Sequence, residues 1–197
     1  MELAGALTIV HCGAPQSQVA LWDNVPVVVA YLLILSEREA VAWVLRESQM
    51  AFPQTNRSEV NRLKVGDDLF VVTTRRCWHN PTRDRTRVIG TAVVTSEVVP
   101  YEKPVAIAGR DFTRGCDITV RALAPYLMGL DLASLIPRLD AFPNKSAWSI
   151  RLRRALLEIS TSDATLLKQE FEGVAREPAA VIPIYLSSIR PIRRAPA

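Results

Sequence analysis

The chain has 197 residues, of which 49% are hydrophobic and 22% charged, with only 8 glycines. That length suits one domain, with at most a modest extension, and the apolar share excludes a disordered chain or a fibrous repeat. Lysine and arginine outnumber the acids 24 to 20, and the net charge of +4 hints at a polyanionic partner without requiring one.

Residues 1–26 carry little pattern: 3–10 read as a short strand and 11–24 as a loop, so the segment is expected to be an N-terminal extension. The apolar run 25–35 has eleven residues, too few to span a bilayer, and lies too late for a secretory signal. Its β-branched part, 27–35, is expected to be the first core strand. Ser36 with Glu39 three residues on has the pattern of a capping box and predicts a helix over 37–49. Ala40, Val41, Val44 and Leu45 give that helix an apolar face, with Trp43 beside it.

The spacing then predicts a loop at 50–56 marked by Pro53, a short helix capped by Ser58, a turn at Gly66-Asp67 and a strand over 69–74. A polar loop fills 75–86, and 87–99 reads as a long strand with a bulge marked by Gly90. A long connection is expected over 100–115, then a strand over 116–123 with Ile118 and Val120 on one face. Residues 130–139 read as helical or turn-like, broken by Pro137, and 143–150 as a loop. Ser160 with Asp163 offers a second capping box, opening a helix to about Arg176. The apolar run 181–186 reads as a closing strand, and 188–197 as a loose basic tail. The predicted division is therefore an extension (1–26), one domain (27–187) and the tail. This order of elements points to an α+β fold with a mixed, mainly antiparallel sheet curled around a core.

Several segments in this order resemble one family. They are Tyr31-Leu-Leu-Ile-Leu-Ser36 leading to Trp43, then Met50-Ala-Phe-Pro53, Leu63-Lys-Val-Gly-Asp67 before Thr73-Thr74, and Val88-Ile-Gly-Thr-Ala-Val-Val94. Ile118-Thr-Val-Arg121, the block Phe142-Pro-Asn-Lys-Ser-Ala-Trp148 and the helix start at Ile159 to Asp163 complete the set. Together, over roughly residues 29 to 172, they resemble the EVE domain, a PUA-like module similar to the YTH readers of methylated RNA. The resemblance implies a curled β-barrel with flanking helices, and a pocket that accepts one nucleobase, often a modified one, extruded from its stack. It implies that Phe52, the strand end at Thr73 and Thr74, and the block from Asn144 to Trp148 border that pocket.

The residues themselves add chemistry. The stretch 73–87 holds five arginines, Arg75, Arg76, Arg83, Arg85 and Arg87, against one acid, Asp84, with Trp78 and His79 among them. Guanidinium forks match phosphate oxygens, and an indole face stacks on a base for about 1–3 kcal/mol. The competing reading is a solvated hairpin with Trp78 tucked back onto the fold. Arg151, Arg153 and Arg154, following Lys145, form a second basic group, Arg151 and Arg153 sharing a face if the segment is extended. Phe52, Trp78 and Trp148 are the aromatic pocket candidates, with Tyr31 and Trp43 behind them and Thr73, Thr74, Arg121 and Asn144 to read a base edge. Arg190, Arg193 and Arg194 of the tail would add non-specific attraction.

The three cysteines, Cys12, Cys77 and Cys116, are odd in number and widely spaced, and read as reduced thiols of a cytoplasmic protein. Cys77 with His79, and His11 with Cys12, do not have zinc-framework spacing, and no third group orients Cys77 for catalysis. Phosphate-cradling and nucleophile motifs are absent from the sequence, so no cofactor is expected. The expected partner is DNA or RNA, base-modified or not. Two other readings stay open. One is a small nucleic-acid- or nucleoside-processing enzyme of the related ASCH kind, with Lys145, Asp67 and Asp68 as its nearest ionisable groups. The other is a protein-interaction domain anchored by Trp78.

Overall fold

The computed structural model describes residues 28–54, 57–80 and 82–189. Expectations placed on 1–27 (the strand at 3–10, His11 and Cys12) and on the tail from Arg190 onward lie outside these residues.

Strand β1 (Ala30–Leu35) is buried along its whole length. Tyr31, Leu33 and Leu35 join one core, while Ala30, Leu32 and Ile34 join a second on the opposite face. A strand covered on both sides reads as an unbroken apolar run, which is why it stood out in the sequence. Helix α1 (Arg38–Glu47) follows and buries Val41, Ala42, Val44 and Leu45. Its expected capping box does not form: Glu37 is the N-cap, with no side-chain cap bond, and Glu39 pairs with Arg38 at 3.1 Å.

The segment expected to be a loop after α1 is instead strand β2 (Gln49–Phe52), followed by the short helix α2 (Ser58–Arg62). Strand β3 (Asp68–Thr73) divides its side chains as β1 does, Leu69 and Val71 to one core, Phe70 and Val72 to the other. Buried Asp67 fixes its entry by accepting the backbone N–H groups of Val29 (3.0 Å) and Lys64 (2.9 Å). β1 and β3 run parallel, from Ala30 opposite Asp68 to Leu35 opposite Thr73, so both end on the same rim.

Strand β4 (Arg87–Val94) stops short of the expected residue 99. Its partner register passes from Val71–Gly90 to Val72–Val88, leaving Ile89 as the extra residue of a bulge beside Gly90. A Cβ on Gly90 would sit 2.6 Å from Leu123 Cδ2 and 2.9 Å from the Ala122 carbonyl. Glycine therefore lets the next strand approach where the sheet bends.

The expected connection at 100–115 is in fact most of a hairpin of β5 (Val99–Ile107) and β6 (Arg110–Leu123). Its two-residue turn, Ala108-Gly109, has φ of 51° and 78°, the left-handed pair that matches strand twist. Pro100 and Pro104 disguised β5, since proline is tolerated only where a strand edge is unpaired. Gly115 of β6 faces Ala51 of β2 on one side and Val99 of β5 on the other. A Cβ there would collide with the Met50 carbonyl and the Tyr101 hydroxyl.

Strand β7 (Leu130–Asp131), helix α3 (Leu132–Leu135) and the 3₁₀ turn Ile136–Arg138 fill the region read as helical or turn-like. A second 3₁₀ segment, Trp148–Arg153, leads to the unforeseen strand β8 (Leu156–Ile159). Helix α4 (Thr161–Glu172) opens as expected, Ser160 Oγ accepting the Asp163 N–H at 3.1 Å. The buried Asp163 carboxylate faces away from the box and receives the N–H groups of Asp140 (2.8 Å) and Ala141 (2.7 Å). The last apolar run is not a strand. It lies in helix α5 (Pro178–Ser188), which has Pro178 in its first turn and buries Val181 and Tyr185 one helical turn apart. A short apolar run looks alike in either state, and proline at a helix start is the signal that decides it.

The sheet runs β2-β6-β4-β3-β1-β8, with β5 on β6 and β7 on β4. All pairings other than β1 with β3 are antiparallel. The result is the expected α+β arrangement, a curled mixed sheet with flanking helices.

Candidate nucleic-acid interface

Where β1 ends, a cavity of about 560 Å³ opens between α1, β2, the turn of the β5–β6 hairpin and the end of the second 3₁₀ segment. Trp43 from α1, Phe52 from β2 and Phe112 from β6 contribute aromatic lining. Each is delivered by a different element, so no local sequence pattern marks the group. Arg57, Arg110, Arg153 and Arg154 also line the cavity, against two carboxylates, Glu37 and Asp111. Arg154 is held by Glu59 at 2.8 Å. The volume lies within the range of ordinary small-ligand sites, and apolar walls with a few charged groups are their usual composition.

The arginine-rich loop packs beside this cavity. Its organiser is Asp84, buried despite its charge, whose carboxylate accepts the N–H groups of Trp78 and Asn80, each at 3.1 Å. Asp84 is thus spent on the backbone and makes no side-chain ion pair with Arg83 or Arg85. Trp78 packs edge-on against Tyr126 (ring centroids 5.2 Å apart) and tilted against Tyr185 (6.0 Å). That is the tucked-back placement weighed in the sequence, yet one side of Trp78 also lines a second recess of about 360 Å³. Arg83, Arg85 and Arg87 line the same recess. His79, with φ of 61°, approaches Glu37 Oε2 with Nε2 at 3.3 Å, and the Thr74 N–H donates to the Leu35 carbonyl at 3.0 Å.

Of the residues expected at a base pocket, Phe52 lines the larger cavity and Trp78 the smaller. Thr73 is buried between β3 and β4, its hydroxyl 3.5 Å from the Arg87 carbonyl, and Thr74 is half-buried at the rim. Arg121 is exposed on β6. Asn144 closes its own turn, Oδ1 accepting from the N–H groups of Ser146 (3.2 Å) and Ala147 (3.0 Å). Trp148 packs edge-on against Phe142 at 6.2 Å in the second core.

Among the expected phosphate contacts, Arg153 lines the larger cavity, Arg75 and Arg76 are exposed on the loop, and Lys145 donates to the Leu139 carbonyl. Arg151 and Arg153 sit in a 3₁₀ segment and not an extended one, so the alternation that would have put them on one face does not apply. The sequence reading placed Trp43 behind the pocket and missed Phe112, Arg57 and Arg110 altogether. The left-handed turn signal at Gly109, had it been read as a hairpin, would have pointed to the last of these.

The ligating atoms of Glu37, Glu39 and His79 come within 4.8 Å of one another, a grouping the sequence spacing hides. Each member already has a partner, Glu39 with Arg38 and Glu37 with His79. Among the described residues no helix is long and apolar enough to cross a membrane.

Cys77 and Cys116 are buried and free. Burial pushes both thiols up, Cys116 to about 12, and the acids Glu37, Asp84 and Glu39 add to the effect at Cys77. Neither is a nucleophile at neutral pH. Above the free value of 9.0 the unfolded chain sheds these protons while the folded chain keeps them. Unfolding is therefore favoured progressively as pH climbs from 9.0 to about 12. Denaturation midpoints should fall over that range, with both thiols unreactive to maleimide until the protein unfolds.

No protein-family model matches the chain, and no curated protein matches it in sequence. Solved structures do match. The YTH domain-containing protein mmi1, in a complex with RNA, aligns at 14% identity over 73% of this chain and 80% of its own, with a TM-score of 0.51. A hypothetical protein from Leishmania major aligns at 15% identity over 74% of this chain and 96% of its own, with a TM-score of 0.50. The chain shares the fold of the mmi1 YTH domain. Human THYN1, solved with DNA containing 5-methylcytosine, aligns more loosely, at 13% identity over 72% of this chain and 97% of its own, with a TM-score of 0.46. Within the YTH-like fold of this chain, the larger cavity lies at the rim shared by the two parallel strands, and the arginine loop leaves that rim directly after β3.

Proposed function

We propose that the protein is a nucleic-acid-binding module that takes one nucleobase, modified or unmodified, into the larger cavity. The observation that carries this reading is the cavity lining: three aromatic rings from three elements, with four guanidinium groups against two carboxylates. Rings enclose the flat face of a base, and the arginines hold the phosphates on either side. The mmi1 domain, which shares the fold, was solved with RNA, and that agrees with a strand as ligand here. Whether the strand is DNA or RNA is part of the test.

The enzyme reading loses its candidates. Asp67 is spent on two backbone N–H groups, Asp68 pairs with Lys168 at 2.6 Å and Lys145 caps the Leu139 carbonyl. None of the three lines the cavity. A cytoplasmic setting fits reduced, buried thiols.

The test is fluorescence anisotropy with single-stranded DNA and RNA of about eight nucleotides, carrying unmodified, C-methylated or N-methylated bases, between about 50 and 200 mM salt. Binding should favour one base and weaken linearly in log–log form with salt, at a slope of about −0.7 per phosphate contact. Absence of binding, or affinity indifferent to salt, refutes the proposal.

A further inference from the structure

From the geometry we infer that the smaller recess is a second subsite, taking a phosphodiester of the same strand whose base enters the larger cavity. The inference rests on the base-pocket reading and adds a separate place, outside the base cavity, where a neighbouring phosphate of the strand is held. Three observations carry it.

First, the recess is cationic by construction. Arg83, Arg85 and Arg87 line it, and among the described residues none of the three is ion-paired with a carboxylate. The one acid in its lining, Asp84, is buried and turned onto the Trp78 and Asn80 N–H groups. Arg87 is further fixed by donating from Nη1 to the Gly129 carbonyl at 2.9 Å. A guanidinium whose position is already set loses less freedom on meeting a phosphate, and its planar fork matches two phosphate oxygens.

Second, a direct contact links the walls of the two recesses. Trp78 lines the smaller one, and the next residue, His79, reaches Glu37 of the larger one at 3.3 Å. Third, the wall of the smaller recess opposite the loop holds Leu127 at φ of 60° and 48% exposed. A non-glycine residue kept in the left-handed region beside a cavity is a feature that clusters at ligand clamps.

The experiment uses the full chain and Arg83→Gln/Arg85→Gln, a double change of exposed residues. Three probes separate the subsites: a mixed single-stranded DNA octamer, the same octamer made wholly abasic, and free nucleosides. The double variant should bind the abasic strand at least tenfold more weakly, with a log–log salt slope shallower by about 0.7, the share of one phosphate. Its nucleoside binding should match that of the unaltered protein. Unchanged abasic binding overturns the inference, as does an unaltered protein that binds no abasic strand. Displacement of that strand by low-millimolar inorganic phosphate at constant ionic strength also overturns it, by assigning the recess to free phosphate. If the abasic strand responds as expected but no nucleoside binds, the subsite stands and the base pocket falls.

Discussion

Gly115→Ala is expected to cost about 3 kcal/mol of unfolding free energy, the upper part of the range for overpacking a tight site. Gly115 is the point where β2, β5 and β6 crowd together, and its missing side chain is what permits the Met50 carbonyl and the Tyr101 hydroxyl to sit where they do. The Tyr101 side chain can swing aside, but the Met50 carbonyl is backbone and cannot. β2 must move away from β6, and β2 supplies Phe52 to the cavity. The loss of stability should therefore come with a loss of oligonucleotide affinity in whatever folded protein remains. Gly173→Ala is the matched control. A Cβ there meets nothing within 4 Å, and its φ of −63° is helical, so that variant should be neutral or more stable by about 0.5 kcal/mol. Equal denaturation midpoints for the two variants would sink the argument.

Trp43→Ala should weaken binding of the preferred oligonucleotide about ten- to hundredfold, while leaving the abasic strand untouched. Stacking of a base on an aromatic ring is worth about 1–3 kcal/mol, which is about that factor. Trp43 is half-buried on α1 and lines the cavity, whereas Phe52 is almost fully buried and also serves the core, so its removal would confound binding with folding. Trp43→Phe should recover most of the affinity. An alanine variant that binds as tightly as the unaltered protein, with an unchanged melting temperature, would show that the indole faces no base.

How much of this was readable in advance follows from how local each signal is. β1 and β3 were legible because burial on both faces leaves a continuous apolar run. The start of α4 was legible because Ser160 and Asp163 lie within one turn of each other. β2 and β8 were missed because strands of four residues at the sheet's two ends carry too little pattern, and β5 because its prolines imitate a loop. α5 was misread since Val181 to Leu186 is apolar whichever way it is wound.

Of the residues lining the two recesses, the sequence singled out Phe52, Arg153, Arg154 and the arginine loop with Trp78. Thr73, Asn144 and Trp148 have suitable chemistry, yet their functional groups are taken up by a strand pair, a turn and the second core. What composes the cavity is tertiary: one ring from a helix, two from strands more than fifty residues apart. No linear spacing encodes that meeting.

The β5–β6 ribbon leaves the crowded junction at Gly115 and ends in its tight reversal at Ala108 and Gly109, with most of β5 open to water. That reversal is one side of the larger cavity, while the facing side belongs to the body of the protein. A lineage can thus retailor which chemical group the chamber admits by editing a few positions on an overhang that bears little of the folding load. Ligand choice and thermal robustness become separately heritable traits.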